Sequence, residues 1–589
     1  MGLDDSQKVA VELPVIESAF VNAPPGYGKT YVITERIKYL ISSGNVKPPQ
    51  KILALTFSNS AANEMRKRIQ KELFNSEKYI DIMNFHTFAY HLLKIYGNYV
   101  GINRNFTIIN ESREYEFKKS YFKNIGLLND PYDDYKLIQK YDEWYSKNFL
   151  ANEPFELENI HFDDLKDKID NEMITEEELN FNHMLHKSLK LLKNHSSIKN
   201  SFYNKYKFIL ADEFQDTNYI QYQLFKEIST NTNGERRTVF VVGDIKQAIM
   251  RFQGANPKNI IRVSSDFDCR EICLEENHRV SSKKIELITA RLRGFTDESS
   301  DQKFEFFIAR TGKTVEKINN RIVNLLLEQK QKNQAFHDIC ILSSQEKTQN
   351  KLKRSLKLND INYVSLTEYN FKNINKKYFK LFKCIESLIN QKYNKNSVQK
   401  IVNTLIVKFY PENQGNLILS TIKNFSKRFD NIKYSSLEIW KRLQEFYNHL
   451  QIDIDWSKLL ISAVRDKIFL STIHSAKGLE FKYIIFLGVV NYRIPHSSVC
   501  VNLCGHGRNY KDNIISEDKD LFYVGVSRAM EDIFFFYSRQ DEETNKPRKL
   551  SCVLNEITDL MVFIDLDIDE EYDVSTNLVR NLFCKKNNI

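Results

Sequence analysis

Ala23-Pro-Pro-Gly-Tyr-Gly-Lys-Thr30 and Ala211-Asp-Glu-Phe-Gln-Asp-Thr-Asn218 are the two stretches of this 589-residue chain whose residue types and spacing could do chemistry together. In the first, Gly26 and Gly28 let the backbone curl with its N–H groups turned inward, a cradle for phosphate. Lys29 can then reach the outer phosphates and Thr30 a Mg²⁺ ion. In the second, adjacent carboxylates can divide the remaining work, Asp212 holding Mg²⁺ and Glu213 activating an attacking water. Alone, the loop opens with Ala23 and two prolines where the strict pattern has Gly, and it also suits an ordinary strand–turn–helix. Alone, the two acids could cap a helix. Their pairing points instead to hydrolysis of a nucleoside triphosphate.

Such chemistry needs elements that hold it. Val32, Ile33, Ile37, Leu40 and Ile41 recur at helical spacing after Thr30, so an amphipathic helix follows the cradle. Lys207-Phe-Ile-Leu-Ala211 reads as a buried strand that delivers both acids at its carboxyl end, where open α/β sheets bind ligands. Residues 51–57 and 238–242 read as further strands of a first parallel sheet, and 338–342, 468–472, 483–487 and 533–537 as strands of a second. The polar, aromatic, charge-rich stretch from about His91 to Asn200 reads as a helical insertion. A second, about Tyr378 to Trp456, carries Lys380, Lys383, Lys392, Lys395 and Lys400 on a face that is either solvated or set against duplex. The acidic run Asp565 to Asp573 reads as a solvated tail.

Length predicts three or four domains, at roughly one to two hundred residues each. The 42% hydrophobic content is spread in short runs, none near the ~20 residues a bilayer needs, and no leader opens the chain; the expected place is the cytoplasm, with no membrane partner. Eight scattered cysteines suit a reducing compartment. His496, Cys500, Cys504 and His506 are a set that could ligate zinc. A formal charge of +9 and a pI near 8.8 favour a polyanionic partner without establishing nucleic acid.

Seven further segments fall in a telling order: Leu3-Asp-Asp-Ser-Gln7, Thr56 to Met65, Asn84-Phe-His-Thr87, Gly243-Asp-Ile-Lys-Gln247 through Gly254-Ala255, Leu274-Glu-Glu-Asn-His-Arg279, Thr472 to Phe481, and Tyr523 to Ala529. They resemble the helicase motifs of the UvrD/Rep group in superfamily one. The resemblance implies an α/β fold of two RecA-like parallel-sheet motor domains with helical insertions. Residues 1–90 and 195–280 would form the first motor, 91–194 its insertion, 281–375 and 461–589 the second motor, and 376–460 a small helical accessory domain.

It further implies an ATP-dependent DNA helicase or translocase that uses ATP and Mg²⁺ and moves 3′ to 5′ on single-stranded DNA, engaging duplex junctions. Gln7 would read the adenine edge; Gly26, Gly28, Lys29 and Thr30 would hold phosphate, with Thr30 and Asp212 on Mg²⁺. Glu213 would be the general base and Gln247 the sensor of the terminal phosphate. Arg279 and Arg528 would project from the far side of the nucleotide as arginine fingers. Gly478 and Glu480 would contact nucleotide from the second motor, with His474 and Lys477 where DNA and nucleotide contacts meet. Along the track, Phe57, His86 and Phe252 would stack on bases and Asn59, Arg66 and Arg251 supply polar contacts; Phe57 and Phe252 could equally be core residues.

The departures carry information too. The family usually has Arg after the cradle's Thr and Tyr before the first finger; Tyr31 and His278 stand there, and both could still stack on adenine. Met250 replaces an aromatic, leaving Phe252 as the ring near Arg251. The wording Lys246-Gln-Ala-Ile249 leans towards the RecB/AddA nuclease-helicases, yet no nuclease segment follows Tyr537. Ile494-Pro-His496 resembles a loop of the family, which argues against zinc. The short second insertion resembles helicase-like subunits that work beside a separate nuclease, including the Gabija-type anti-phage partner. The alternative function is therefore a DNA- and nucleotide-sensing regulatory subunit of a nuclease-containing complex. An RNA track stays open, because stacking does not distinguish sugars.

Overall fold

The computed structural model describes residues 2–366 except 74, 110, 125–130, 152–162, 176, 252–253, 280–281, 295–306, 313 and 332–335; 467–494 except 491–492; 512–541; and 546–572 except 552, 555–556, 558–559 and 567–569. Phe252, the 376–460 segment with its lysines, and the His496, Cys500, Cys504, His506 set lie outside the described residues.

Six strands form the first sheet: β1 (Ala19–Asn22), β2 (Lys51–Thr56), β3 (Ile80–Asn84), β6 (Tyr206–Ala211), β7 (Thr238–Gly243) and β8 (Arg270–Cys273). Between β3 and β6 the strands among the described residues are the short parallel pair β4 (Thr107–Ile108) and β5 (Glu178–Leu179), set among helices. The spatial order is β3-β2-β6-β7-β1-β8, with every neighbouring pair parallel. Parallel strands are covered on both faces, and the side chains follow: Ile52 to Leu55, Ile209 to Ala211 and Val239 to Val242 are buried without interruption. The register pairs Asn22 with Gly243 and Leu55 with Ala211, so the cradle, Asp212, Phe57 and the 243–247 turn leave the sheet along one edge.

The second sheet holds β9 (Phe307–Gly312), β10 (Ile339–Ser343), β11 (Tyr363–Ser365), β12 (Ile468–Thr472), β13 (Phe481–Leu487), β14 (Ala529–Ser538), β15 (Met561–Asp565) and β16 (Glu570–Tyr572). Their order is β11-β12-β10-β13-β14-β9-β15-β16, parallel throughout save the final hairpin. The four strands expected here from sequence are present as β10, β12, β13 and β14. The acidic run, expected as a tail, is corrected in part: Glu570–Tyr572 pairs antiparallel with β15 and forms the sheet's edge. Charged residues suit an edge strand, since they discourage further pairing.

The first insertion grows out of the first motor without a seam. The helix Phe85–Tyr96 crosses residue 90, and the helix Phe181–Asn194 packs on it and on the helix Tyr219–Ser229. One apolar cluster runs from Leu53 and Leu55 through Phe88 and Leu192 to Phe122, Tyr141 and Trp144. A π-turn, Ser146–Ala151, returns Leu150 to the first motor at Gly254, where an added Cβ would come within 2.3 Å of the Leu150 Cβ. Only glycine fits there, also because φ is +86°. No helix among the described residues is long and apolar enough to cross a membrane.

Candidate functional site

The cradle forms because β1 ends at Asn22 and the Lys29–Ser42 helix starts only after Gly26 and Gly28 have both turned left-handed, at φ +89° and +85°. Gly28 caps that helix without a side-chain acceptor, so the first-turn N–H groups stay open to an anion. A Cβ on Gly26 would meet Asn277 Oδ1 at 2.6 Å, and one on Gly28 would meet Gln7 Nε2 at 2.7 Å. The buried Lys29 ammonium rests on its own loop, 3.2 Å from the Ala23 carbonyl, and lies 4.0 Å from Glu213 Oε1.

Thr30 Oγ1 donates to Asp212 Oδ2 at 3.1 Å, joining the hydroxyl and the carboxylate expected to share a divalent cation. Burial, then repulsion from Glu213, pushes the Asp212 carboxyl up to about 7 against the pull of Lys29. A buried acid so placed gains from a nearby cation, and a hydroxyl beside a carboxylate is the oxygen donor set that Mg²⁺ favours. Glu213 sits at φ +51°, a conformation that costs a non-glycine residue about 1–3 kcal/mol and is found at functional sites. Burial would raise its carboxyl, but Lys29, Lys477, Gln215 and Arg528 together hold it below the usual range.

Three partners here were not singled out from sequence. Gln215 is fully buried, donates to Glu213 Oε2 at 2.5 Å and accepts from the Asp244 N–H at 3.0 Å; it fixes the direction of the Glu213 carboxylate. Asp216 accepts from Lys477 Nζ at 2.5 Å, and burial pushes its carboxyl up to about 6 despite Lys477. Asp244 collects Gln247 Nε2 at 3.0 Å and Arg293 at 2.7 Å. The signal existed for Gln215 and Asp216, which lie two and three residues after the general base, but polarity alone did not say which would turn inward.

Across the cleft, Arg528 is buried, held by the carbonyls of Val524 and Leu479, and lowered to about 10 by burial and then by Arg279. Arg279 is anchored beside the cradle rather than on the far side of the cleft with Arg528. The His278 N–H donates to the Gly26 carbonyl at 2.9 Å, which plants residues 277–279 on the cradle. From there its guanidinium reaches over to Glu480 at 2.9 Å and to the Ser527 carbonyl at 2.5 Å. Gly478 and Glu480 line the same cleft of about 780 Å³, with Gly26, Gly28, Lys29, Thr30, Tyr31, Asp212, Glu213, Gln247, Arg279 and Arg528.

At the adenine end Tyr31 faces the cleft, whereas His278 gives Nε2 to Asp4 Oδ2 at 2.6 Å. Asp4 caps the first helix, and Gln7 completes a capping box with it while donating to the Tyr27 carbonyl at 3.2 Å. Asp4, Glu276 and His278 stand close enough to hold a cation, but the ion pair between two of them accounts for that closeness.

A second cavity, about 600 Å³, lies between the first motor and its insertion. Phe57, His86, Asp216, Asn218 and Met250 line it from the motor; Lys118, Tyr141, Tyr145, Phe181 and His183 are among the residues that line it from the insertion. The His86 ring stands edge-on to Phe181 at 5.2 Å, and burial lowers it to about 4, so it is neutral at pH 7. Phe57 is therefore a cavity wall that touches the cleft as well, not a core residue. Arg66 is engaged elsewhere, with Asn63 and the Ile82 carbonyl, and Arg251 pairs with Glu517 of the second motor at 2.6 Å. His474 is half-buried in the turn after β12, and burial lowers it. Asn59 starts the helix after Ser58, with its side chain outside the described residues.

Two family models match the chain: the UvrD/REP helicase N-terminal domain over residues 3–268 and the UvrD-like helicase C-terminal domain over 372–540. Among curated relatives, the chain is similar to the ATP-dependent DNA helicase Rep of Buchnera aphidicola, 28% identical over 91% of this chain and 95% of that protein. It is also similar to a probable DNA helicase II homolog of Mycoplasma capricolum, 24% identical over 92% of this chain and 85% of the relative. The ATP-dependent DNA helicase PcrA of Staphylococcus aureus matches at 21% over 88% of this chain and 81% of its own length.

Proposed function

Because the chain belongs to the UvrD/Rep helicase family, we propose that its two motors close around ATP and reopen on hydrolysis to step 3′ to 5′ along single-stranded DNA. The protein is an ATP-dependent DNA helicase. The names of its relatives favour that enzyme over a regulatory subunit with little unwinding of its own.

The carrying observation is one cleft that holds Lys29, Thr30, Asp212 and Glu213 from one motor with Glu480 and Arg528 from the other. Lys29 takes the outer phosphates, releasing the Ala23 carbonyl it now touches. Thr30 and Asp212 would hold Mg²⁺, which would supply charge neutralisation to the nucleotide. Glu213, aimed by Gln215, takes a proton from the attacking water, and Arg528 with Arg279 offsets charge on the transferred phosphoryl group. Arg528 alone belongs wholly to the second motor. Closing the cleft is therefore what delivers it to a nucleotide already seated on the cradle. Tyr31, which lines the cleft, would meet the base, with Gln7 beside it behind the Tyr27 carbonyl.

The track follows the cavity mouth, where Phe57, His86 and Phe181 offer ring faces and edges on which bases can stack whatever their sequence. The test measures ATPase rates with single-stranded DNA, single-stranded RNA, blunt duplex or no nucleic acid, with Glu213→Gln as the blank. Unwinding is then compared on 3′-tailed and 5′-tailed duplex. Strong stimulation by single-stranded DNA and unwinding of the 3′-tailed duplex alone are expected; preference for the 5′ tail would reverse the direction.

A further inference from the structure

Asp216 is the carboxylate common to both spaces, lining the nucleotide cleft and the track cavity at once. It sits at the end of the short turn Phe214–Asp216, three residues past the general base, with a side chain only 1% exposed. One oxygen, Oδ1, takes the Lys477 ammonium at 2.5 Å. The other, Oδ2, is buried without a hydrogen-bond partner among the described residues. Lys477 arrives from the second motor, on the turn after β12, and spends a second proton on the Gln247 carbonyl at 2.6 Å. A single ammonium thus ties Asp216 to the backbone of the residue expected to sense the terminal phosphate.

A buried carboxylate oxygen with no partner is costly, and such an atom invites a second arrangement in which it is satisfied. Filling the cavity changes what faces Asp216 on one side, and seating a triphosphate changes what competes for Lys477 on the other. We propose that Asp216 is the positioning residue that couples the two spaces, holding Lys477 on Gln247 until nucleic acid or nucleotide shifts the pair. Asp216 touches neither reacting atom in this role. It acts through Lys477 and Gln247, and it deepens the helicase reading, on which it rests.

Coupling between two ligands is reciprocal in affinity: if DNA changes the affinity for nucleotide through Asp216, nucleotide must change DNA affinity through it by the same factor. The experiment compares the full chain with Asp216→Asn, Lys477→Gln and the double variant. It records ATPase rate across a single-stranded DNA titration, the DNA Kd by anisotropy with and without a non-hydrolysable ATP analogue, and a thermal melt. In both single variants the ratio of DNA-stimulated to unstimulated rate should fall about ten-fold, and the nucleotide-dependent shift in DNA Kd should vanish. The double variant should be no worse than either single, since all three break one pair. A residue that merely supports the fold would lower both rates together and leave the ratio and the shift in place.

A parent enzyme that DNA does not stimulate sinks the helicase reading, and the coupling role with it. A stimulated parent whose Asp216→Asn variant keeps the ratio within about two-fold overturns the coupling role alone. Should the Asp216→Asn melt show an unfolded protein, Lys477→Gln decides by the same ratio, because it breaks the pair from the other side of the cleft.

Discussion

The cleft and the cavity share a wall at Phe57, Asp216 and Met250, yet most of their buried carboxylates are treated differently. In the cleft burial prevails at Asp212, pushed up to about 7, and at Asp216, pushed up to about 6, whereas Lys29, Lys477, Gln215 and Arg528 hold Glu213 low; at the seam between the motors burial pushes Asp520 up to about 7. On the cavity side the cations win. Burial would raise Glu114, but Lys118 holds it low, and His183 with Lys166 does the same for Asp170. Lys118 stands 2.7 Å from Glu114 and also bonds Asp142, so its charge is spent inside the insertion. Apart from Asp216 on the shared wall, the cavity's acids are paired within the insertion, and what it offers a ligand is rings with a few amide side chains. The cleft's electrostatics are left open, awaiting a cation and a polyphosphate.

The comparison breaks first where the cleft's unpaired chemistry is removed. Arg528→Ala should cost about 10³-fold or more in kcat, the scale of an arginine finger, with nucleotide binding largely kept. A loss below about ten-fold would assign the charge compensation to Arg279 instead. Glu213→Gln should lower turnover by about 10²–10⁴-fold, because the amide retains the shape that Gln215 grips but cannot take the proton. Parent-level hydrolysis by this variant removes Glu213 from the general-base role. On the shared wall, Phe57→Ala should weaken single-stranded DNA binding by the worth of one stacked base, about 1–3 kcal/mol or roughly 5–150-fold in Kd. An unchanged Kd by anisotropy would return Phe57 to a packing role.

How much could be seen beforehand also divides along that wall. Lys29, Thr30, Asp212 and Glu213 were legible because phosphate and metal chemistry fixes residue types at fixed spacings on a strand end or helix start. Both parallel sheets were legible from their apolar runs. The cavity was not, since Tyr141, Tyr145 and His183 come from separate helices whose spacing serves packing and carries no motif. The anchoring of Arg279 was not legible, because a motif gives order along the chain, whereas the bond from His278 N–H to the Gly26 carbonyl decides where residues 277–279 sit. Strands such as β8, with the exposed residues Arg270, Glu271 and Cys273, carry too weak an alternation to be read.

The effect furthest from turnover probes the seam alone. Asp520 lies on the helix Asp512–Val526 of the second motor; burial raises its carboxyl, Lys246 and Arg251 oppose this, and Asp244 and Glu517 add to it. With a folded value near 7 and an unfolded one near 4, the folded state holds an extra proton between those limits. Stability therefore falls as pH rises through that window, and the loss is complete above the folded value. Asparagine cannot ionise, so the advantage of Asp520→Asn over the parent should grow between pH 5 and pH 8 by up to about 1.4 kcal/mol per unit of the window crossed, a rise of several °C in relative Tm. Differential scanning fluorimetry at several pH values reads this directly. A parallel offset at every pH would mean that Asp520 stays ionised and the seam is wetter than its burial indicates. Glu114 runs with the opposite sign, its lowered carboxyl adding stability that disappears as acid protonates it, so Glu114→Gln should narrow the parent's advantage only on the acid side.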